Sequence, residues 1–344
     1  MSTTQQSSTS HDQTEPGVNA MRAVVQDRYG SAEVLQLTTA ARPATGEDDV
    51  LIRVRAAGLH MGDWHLMTGQ PYLMRIMGFG LRSPKNRVRG TDVAGTVVAV
   101  GAGVTELQPG DEVFGSCDGS YAEYATARPA TLALKPAGTS FAEAAAVPTS
   151  AVTALKAVRD AGQVTAGQQV LVIGASGGVG LFAVQIAKAL GAEVTGVCST
   201  SKVALVRSVG ADHVIDYTQE DLSSDSQRYD VILDMGGNRP LSQLRRSLTP
   251  RGTLVLVGGE GGGRWIGGAM GRSLRALMLS PFVRQHLRMV VATVRTHDLH
   301  ALSDLVDARQ LTPVIDATYP LREVPDAIRR LRAGSAHGKL TISV

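Results

Sequence analysis

The sequence predicts an α/β protein in which a mostly β first part leads into a parallel sheet with helices on both faces. Three observations carry this. Residues 169–198 read as strand, glycine-rich turn, helix and strand. From Gln169 onward short apolar runs alternate with helical stretches, the grammar of a parallel sheet covered on both sides. Between Met21 and Ser150 short strand-like runs are separated by Gly, Pro and Asp.

Taken in order, residues 1–20 are rich in Ser, Thr and Gln, with no apolar core and no Arg, and read as a disordered tail. They form neither a secretory signal nor a transit peptide. Strand-like runs follow at 23–26, 50–57, 93–101 and 112–114. Gly101-Ala102-Gly103 and Pro109-Gly110-Asp111 mark hairpins or sharp corners between them. Helices are expected over 141–146, capped by Thr139 or Ser140, and over 151–160.

Residues 170–173 are short, apolar and β-branched, as a buried parallel strand should be. After the turn 174–180, Val179, Phe182, Ala183, Ile186, Ala187 and Leu190 fall on one helical face. Gly191 ends that helix, and a second strand spans 194–198. Then come helix 202–209, strands 213–215 and 230–234, helix 241–248 and strand 253–257. A second glycine cluster covers 258–263. The apolar, Met-rich segment 264–289 reads either as a core or subunit-contact helix or as a lid, and its helical apolar spacing favours the first. Helix 298–308, strand 312–317, helix 321–333 and a terminal strand 339–344 complete the chain. The terminal strand is expected to return to the N-terminal region.

A chain of 344 residues implies about two domains. Its 43% hydrophobic and 19% charged residues suit a globular protein with a sizeable core. The net charge of +3 is mild, and the densest basic patch, Lys85, Arg87 and Arg89, lacks interleaved aromatic residues. No nucleic-acid or membrane partner is expected. Two cysteines, Cys117 and Cys198, far apart in sequence, fit a reducing cytoplasm.

The glycine turn has the chemistry to hold a dinucleotide pyrophosphate. Gly174, Gly177, Gly178 and Gly180 let the backbone approach phosphates, and the helix start offers unpaired N–H groups and partial positive charge. The spacing is G-x-x-G-x-x-G, and its place between strand and helix makes it specific. Ser176 and Val179 complete the candidate cradle. The second strand ends in Cys198-Ser199-Thr200-Ser201-Lys202, without the acid that would bond both ribose hydroxyls; Glu193 lies at the other end of the strand. Hydroxyls and an ammonium suit a 2′-phosphate, so the expected cofactor is NADPH. Ser199, Thr200, Ser201 and Lys202 are its candidate phosphate ligands, although the hydroxyls could equally cap the next helix. Ligands of such sheets sit beyond the strands' carboxyl ends, which adds Tyr217, Val257 and Gly258.

The chain from Met21 to Val344 resembles the medium-chain dehydrogenase/reductase superfamily. The matching residues are Gly90-Thr91-Asp92-Val93-Ala94-Gly95, Gln108-Pro109-Gly110-Asp111-Glu112-Val113, the turn Gly174 to Gly180, the run Val209-Gly210-Ala211-Asp212-His213-Val214-Ile215-Asp216-Tyr217, and Gly338-Lys339. The resemblance implies a GroES-like β-barrel catalytic domain (21–150 and 300–344) holding an inserted Rossmann NADP-binding domain (151–299). It places the active site between them and implies a homodimer.

Zinc members of this superfamily use Cys and His ligands where this chain has His60, Thr91, Asp92 and Thr149. His60, His65, Asp63 and Asp92 could assemble a site, but their spacing fits no standard zinc pattern, so no metal is expected. Without zinc the chain looks like the quinone oxidoreductase-like branch, whose members reduce quinones or activated C=C bonds with NADPH. His60 takes the place of an asparagine near nicotinamide, and Tyr72 lies one residue after the active-site tyrosine of similar enzymes. Each could also be a packed or solvated side chain. Asp63 is expected to brace the local backbone. Thr153 could touch the nicotinamide half, and Lys339 either reaches the cofactor or is solvated. The expected activity is zinc-independent NADPH oxidoreduction of a quinone or an α,β-unsaturated carbonyl. A pathway-specific enoyl or alkenal reductase, an NADPH-binding module without turnover, and a zinc alcohol dehydrogenase are the alternatives. Residues 73–89 and 264–289 are expected to shape the substrate pocket.

Overall fold

A computed structural model describes residues 19–220, 227–259, 265 and 267–344. The expected tail, apart from Asn19 and Ala20, and the glycine cluster beyond Gly259 lie outside the described residues. Ala20 belongs to a strand: β1 (Ala20–Val25) pairs antiparallel with β2 (Gln36–Ala41).

Next come β3 (Val50–Leu59), α1 (Met61–Thr68), α2 (Tyr72–Met74), β4 (Asp92–Val100), β5 (Glu112–Ser116), β6 (Tyr124–Ala127) and β7 (Leu132–Leu134). Helices α3 (Phe141–Ala146) and α4 (Pro148–Leu155) lead into the α/β part. That part holds β8 (Gln169–Ile173), α5 (Gly178–Ala189), β9 (Glu193–Cys198), α6 (Val203–Ser208) and β10 (His213–Asp216). It continues with β11 (Tyr229–Asp234), α7 (Leu241–Arg246), β12 (Leu248–Leu256), α8 (Gly268–Leu279), β13 (His286–Met289) and α9 (Thr296–Asp307). The chain closes with β14 (Ile315–Pro320), α10 (Val324–Arg332) and β15 (Lys339–Ser343).

Among the described residues one sheet is parallel throughout, in the order β10-β9-β8-β11-β12-β13. Both faces are covered. Val170 and Val172 of β8 pack with α5 residues Phe182, Ala183 and Ile186, while Leu171 and Ile173 face Leu244 and Leu254 on the other side. Two buried faces explain the unbroken apolar run of β8. The order reverses between β8 and β11, so a crevice opens at their carboxyl ends. The second sheet runs β14-β15-β3-β4-β5-β7, with β6 also on β3. As expected, the terminal strand returns: Leu340 pairs with Leu59 and Ile342 with Ala57, antiparallel.

Several boundaries differ from the sequence reading. Helix α4 starts at Pro148 and not at Ala151, because proline suits a first helical turn whose N–H groups are unpaired anyway. The strand expected over 312–317 begins only at Ile315. The Gln185 side chain takes both backbone groups of Thr312, at 2.8 and 3.2 Å, and Pro313 has no N–H. Segment 264–289 is not one helix: α8 ends at Leu279 and the edge strand β13 follows. Strands β2, β6 and β7 and helix α1 had no clear signal; each is short and partly exposed, or, like α1, has almost no apolar face. Of the two expected caps, Ser140 is the one used: its hydroxyl accepts the Glu143 N–H at 3.2 Å, and Glu143 returns a bond to the Ser140 amide. Among the described residues no helix is long and apolar enough to cross a membrane.

Candidate active site

The glycine turn lies at the reversal point of the parallel sheet. Gly174 has φ of +79°, which a side chain would strain. Gly180 is required for closeness: a Cβ there would lie 2.1 Å from the Gly174 carbonyl oxygen. Helix α5 starts after Gly177 with no side-chain cap, leaving its first N–H groups to a ligand.

A cleft of about 910 Å³ runs from this turn along the carboxyl ends of β8, β9 and β11. Of the expected cofactor residues, Gly174, Ser176, Gly177, Ser199, Ser201, Lys202 and Tyr217 line it. Ser199 starts the following turn in an extended conformation and makes no side-chain cap, so the capping alternative is not realised. The Lys202 ammonium donates to the Gly334 carbonyl at 2.9 Å, tying α6 to the loop before β15. Burial lowers its pKa, against the opposing pull of Asp316.

The other expected cofactor residues lie off this cleft. Thr200 is turned away: its hydroxyl bonds Asp216 at 2.5 Å and Thr218 at 2.7 Å. The Thr153 hydroxyl donates to the Thr149 carbonyl within α4, at 2.6 Å. Val257 and Gly258 donate their N–H groups to the Asp234 carbonyl, and a Cβ on Gly258 would lie 2.3 Å from the Met235 carbonyl oxygen. The sequence reading missed Asn238, Arg239, Ser335 and His337, which also line the cleft. It missed the brace of the loop after β11, which holds Asn238 and Arg239, as well: buried Asp234 accepts Gly237 N–H at 2.9 Å and Arg272 at 2.6 Å. Residues so far apart in sequence carry no local signal.

Lys339 is not solvated. It is 3% exposed and donates to the Leu59 carbonyl at 2.8 Å and the Ser150 hydroxyl at 2.7 Å. It also lies under the glycine turn, where a Cβ on Gly178 would approach its Cδ to 3.1 Å. Burial pushes its pKa down, while Asp92 and Asp63 oppose that shift. The buried carboxyl of Asp92 is pushed up by desolvation, against His60 and Lys339, and accepts the Thr149 hydroxyl at 2.5 Å. His60 Nε2 is hydrogen-bonded to the Thr91 hydroxyl at 2.7 Å, with Asp63 and Asp92 at 3.6 and 3.8 Å. Asp63 accepts the His60 backbone N–H at 3.0 Å, which braces the start of α1. The structure thus gathers His60, Asp63 and Lys339 into one polar cluster with Thr91, Asp92 and Ser150.

Tyr72 belongs to a different group. Its ring meets Trp265 edge-on, centroids 5.6 Å apart, and Arg75 stacks on it at 4.7 Å. The Leu73 N–H donates to the Trp265 carbonyl at 3.1 Å. Segments far apart in the chain therefore touch at an aromatic corner that sequence pattern could not foresee.

Residues 46–157 match the alcohol dehydrogenase GroES-like domain, and residues 209–342 match a zinc-binding dehydrogenase family. The 2-methylene-furan-3-one reductase of Solanum lycopersicum is 34% identical, over 94% of this chain and 79% of its own. An NADPH-dependent alkenal/one oxidoreductase of Arabidopsis thaliana is 33% identical, over 94% and 79%. The solved quinone oxidoreductase of Coxiella burnetii superposes with a TM-score of 0.83 at 28% identity, covering 94% of this chain and 99% of that one.

The donor set does not fit the zinc of the family's metal members. Thr91 and Thr149 offer hydroxyls already committed to His60 and Asp92, and Lys339 places an amine beside the Asp92 and Asp63 carboxylates. His60, Asp63 and Asp92 do lie together, but Asp63 is bonded to the His60 backbone N–H and Asp92 to the Thr149 hydroxyl, and among the described residues no group of three His, Cys, Asp or Glu could hold a metal ion. The dinucleotide cleft does fit its group, in volume and in its open helix start. This chain is an oxidoreductase of the medium-chain dehydrogenase/reductase superfamily and belongs to its quinone oxidoreductase-like branch.

Proposed function

We propose that the protein uses NADPH, in preference to NADH, to reduce quinones or the activated C=C bonds of α,β-unsaturated carbonyls. The carrying observation is the end of β9, where Ser199, Ser201 and the Lys202 ammonium line the cleft and, among the described residues, no carboxylate does. When bound, the cofactor supplies the hydride. Lys202, Ser199 and Ser201 would hold the 2′-phosphate. The turn Gly174 to Gly180 would take the pyrophosphate, with Lys339 beneath it, and Tyr217 would flank the adenine half. Thr153, Val257 and Gly258 would bound the nicotinamide half.

The protein's remaining task is to polarise the substrate oxygen and deliver one proton. His60 Nε2 is the proposed donor, with Thr91 Oγ1 as its proton partner and Asp63 as the brace of its backbone. Tyr72 and Trp265 would form an aromatic wall for a planar substrate. Steady-state assays with a naphthoquinone and an enone, each with NADPH and with NADH, test the reading. Turnover with NADPH and either electrophile supports it; equal efficiency with NADH overturns the cofactor preference.

We further propose a homodimer built on β13. This strand is a sheet edge, and Leu274, Leu277, Met278 and Met289 beside it are exposed apolar residues. Cys117 and Cys198 are both buried, which suits the reducing cytoplasm we propose as its location.

A further inference from the structure

The segment after Tyr72 exposes apolar side chains that no described residue covers. Ile76, Met77, Phe79 and Leu81 are 66%, 64%, 45% and 67% exposed, four large apolar residues within six positions. Contiguous exposure of this kind marks an interaction site.

The tip is built. The Tyr29 hydroxyl donates to the Phe79 and Gly80 carbonyls at 2.9 and 2.7 Å, and the Lys85 N–H donates to Phe79 at 3.0 Å. Gly80, at φ +107°, admits no side chain, since a Cβ would lie 2.0 Å from the Ser83 carbonyl oxygen. At its root the Arg75 guanidinium donates to the Gly69 and Thr68 carbonyls and lies against the Tyr29 and Tyr72 rings.

Charge decides the partner. Residues 73–89 contain Arg75, Arg82, Lys85, Arg87 and Arg89 and no Asp or Glu. Arg89 is buried and Arg87 pairs with Asp27. Arg82 and Lys85 are exposed and have no ion-pair partner among the described residues; Asp118 lines the pocket beside Lys85 without pairing with it. Trp265, 69% exposed, stands beside the loop through its contact with Tyr72. An apolar tip, free cations and an exposed indole together are the signature of a surface that enters a bilayer interface, and cations select anionic headgroups. In sequence the basic patch is separate from aromatic residues; the fold closes Phe79 onto Lys85.

We infer that residues 76–85 dock the protein on an anionic lipid surface, a partner the sequence alone did not call for. One consequence rests on the proposed activity: quinones and enones with long apolar tails dissolve in such a surface, and Tyr72 at the loop's root would meet them there. Docking itself needs no turnover, so it can fail or hold independently of that activity.

The test is flotation of the full chain, without cofactor or electrophile. Mixed phosphatidylcholine and phosphatidylglycerol vesicles are compared with pure phosphatidylcholine. Roughly thirtyfold stronger binding to the anionic vesicles is expected from two free cations. The double variant Met77→Glu/Phe79→Glu should abolish binding. Arg82→Glu/Lys85→Glu should reduce it to the level on pure phosphatidylcholine. Leu134→Glu, at an exposed leucine far from the loop in sequence, should change nothing. Far-UV circular dichroism and NADPH affinity report that each variant is folded. Absence of flotation, or flotation unaffected by both loop variants, overturns the inference. So does a loop variant that splits an oligomer, which would assign the patch to a second copy.

Discussion

In the proposed reading a single ammonium, that of Lys202, sets the preference for NADPH. A charge-assisted hydrogen bond contributes about 1.5–3 kcal/mol, so Lys202→Ala should raise the KM for NADPH roughly ten- to hundredfold and leave that for NADH unchanged. The pH profile provides a second check. Burial holds the Lys202 pKa below its ordinary value, so its charge is lost as pH rises, earlier than for a free lysine. NADPH affinity should therefore fall on the alkaline side, and that limb should vanish in Lys202→Ala. An unchanged KM ratio would sink the assignment. At this scale the sequence was informative where chemistry is local: Ser199, Ser201 and Lys202 are consecutive or nearly so, and they line one cleft. It named Lys339 as a candidate but left open whether the side chain is solvated, since its burial is set by Leu59 and Ser150, far away in the chain.

Elements are joined here by buried charge as well as by apolar packing. Asp298 of α9 is fully buried and pairs with Lys156 at 2.8 Å and Arg159 at 2.9 Å, on the turn that continues α4. Burial alone would raise its pKa, but hydrogen bonds from Lys156 and Arg159 outweigh it and leave the carboxyl below the usual range. A depressed carboxyl pKa stabilises the fold above the unfolded-state pKa, and that contribution is lost as pH falls through the folded value. Asp298→Asn should cost about 3 kcal/mol near neutrality, the low end for a broken buried pair because Arg159 keeps Asp160. Urea unfolding across the acid range should show a flatter pH dependence in the variant. A neutral substitution with an unchanged acid limb would refute this account. The sequence placed α9 to within a few residues, but not its partner, since ion pairs leave no periodicity.

At the level of the whole molecule, the β13 edge and the 76–81 loop tip both expose apolar residues. The β13 edge is proposed to meet a second copy, so Leu277→Glu should shift the protein from dimer to monomer in light scattering coupled to size exclusion. A monomeric wild type, or a dimer indifferent to this change, would contradict that assignment. The loop tip at 76–81 is the other, and its proposed partner is lipid.

By itself the sequence determined the parallel sheet, its glycine turn, the basic end of the second strand and the return of the last strand to the first domain. All of these follow from short-range periodicity, turn chemistry or recognised motifs. Tertiary structure alone decided that Lys339 is buried, that Thr200 faces Asp216 and not the cleft, that Tyr72 meets Trp265, and that Ile76 and its neighbours stay uncovered. Each of those depends on what lies across a gap in space, and hydrogen bonding and burial between distant segments are not written in the order of residues along the chain.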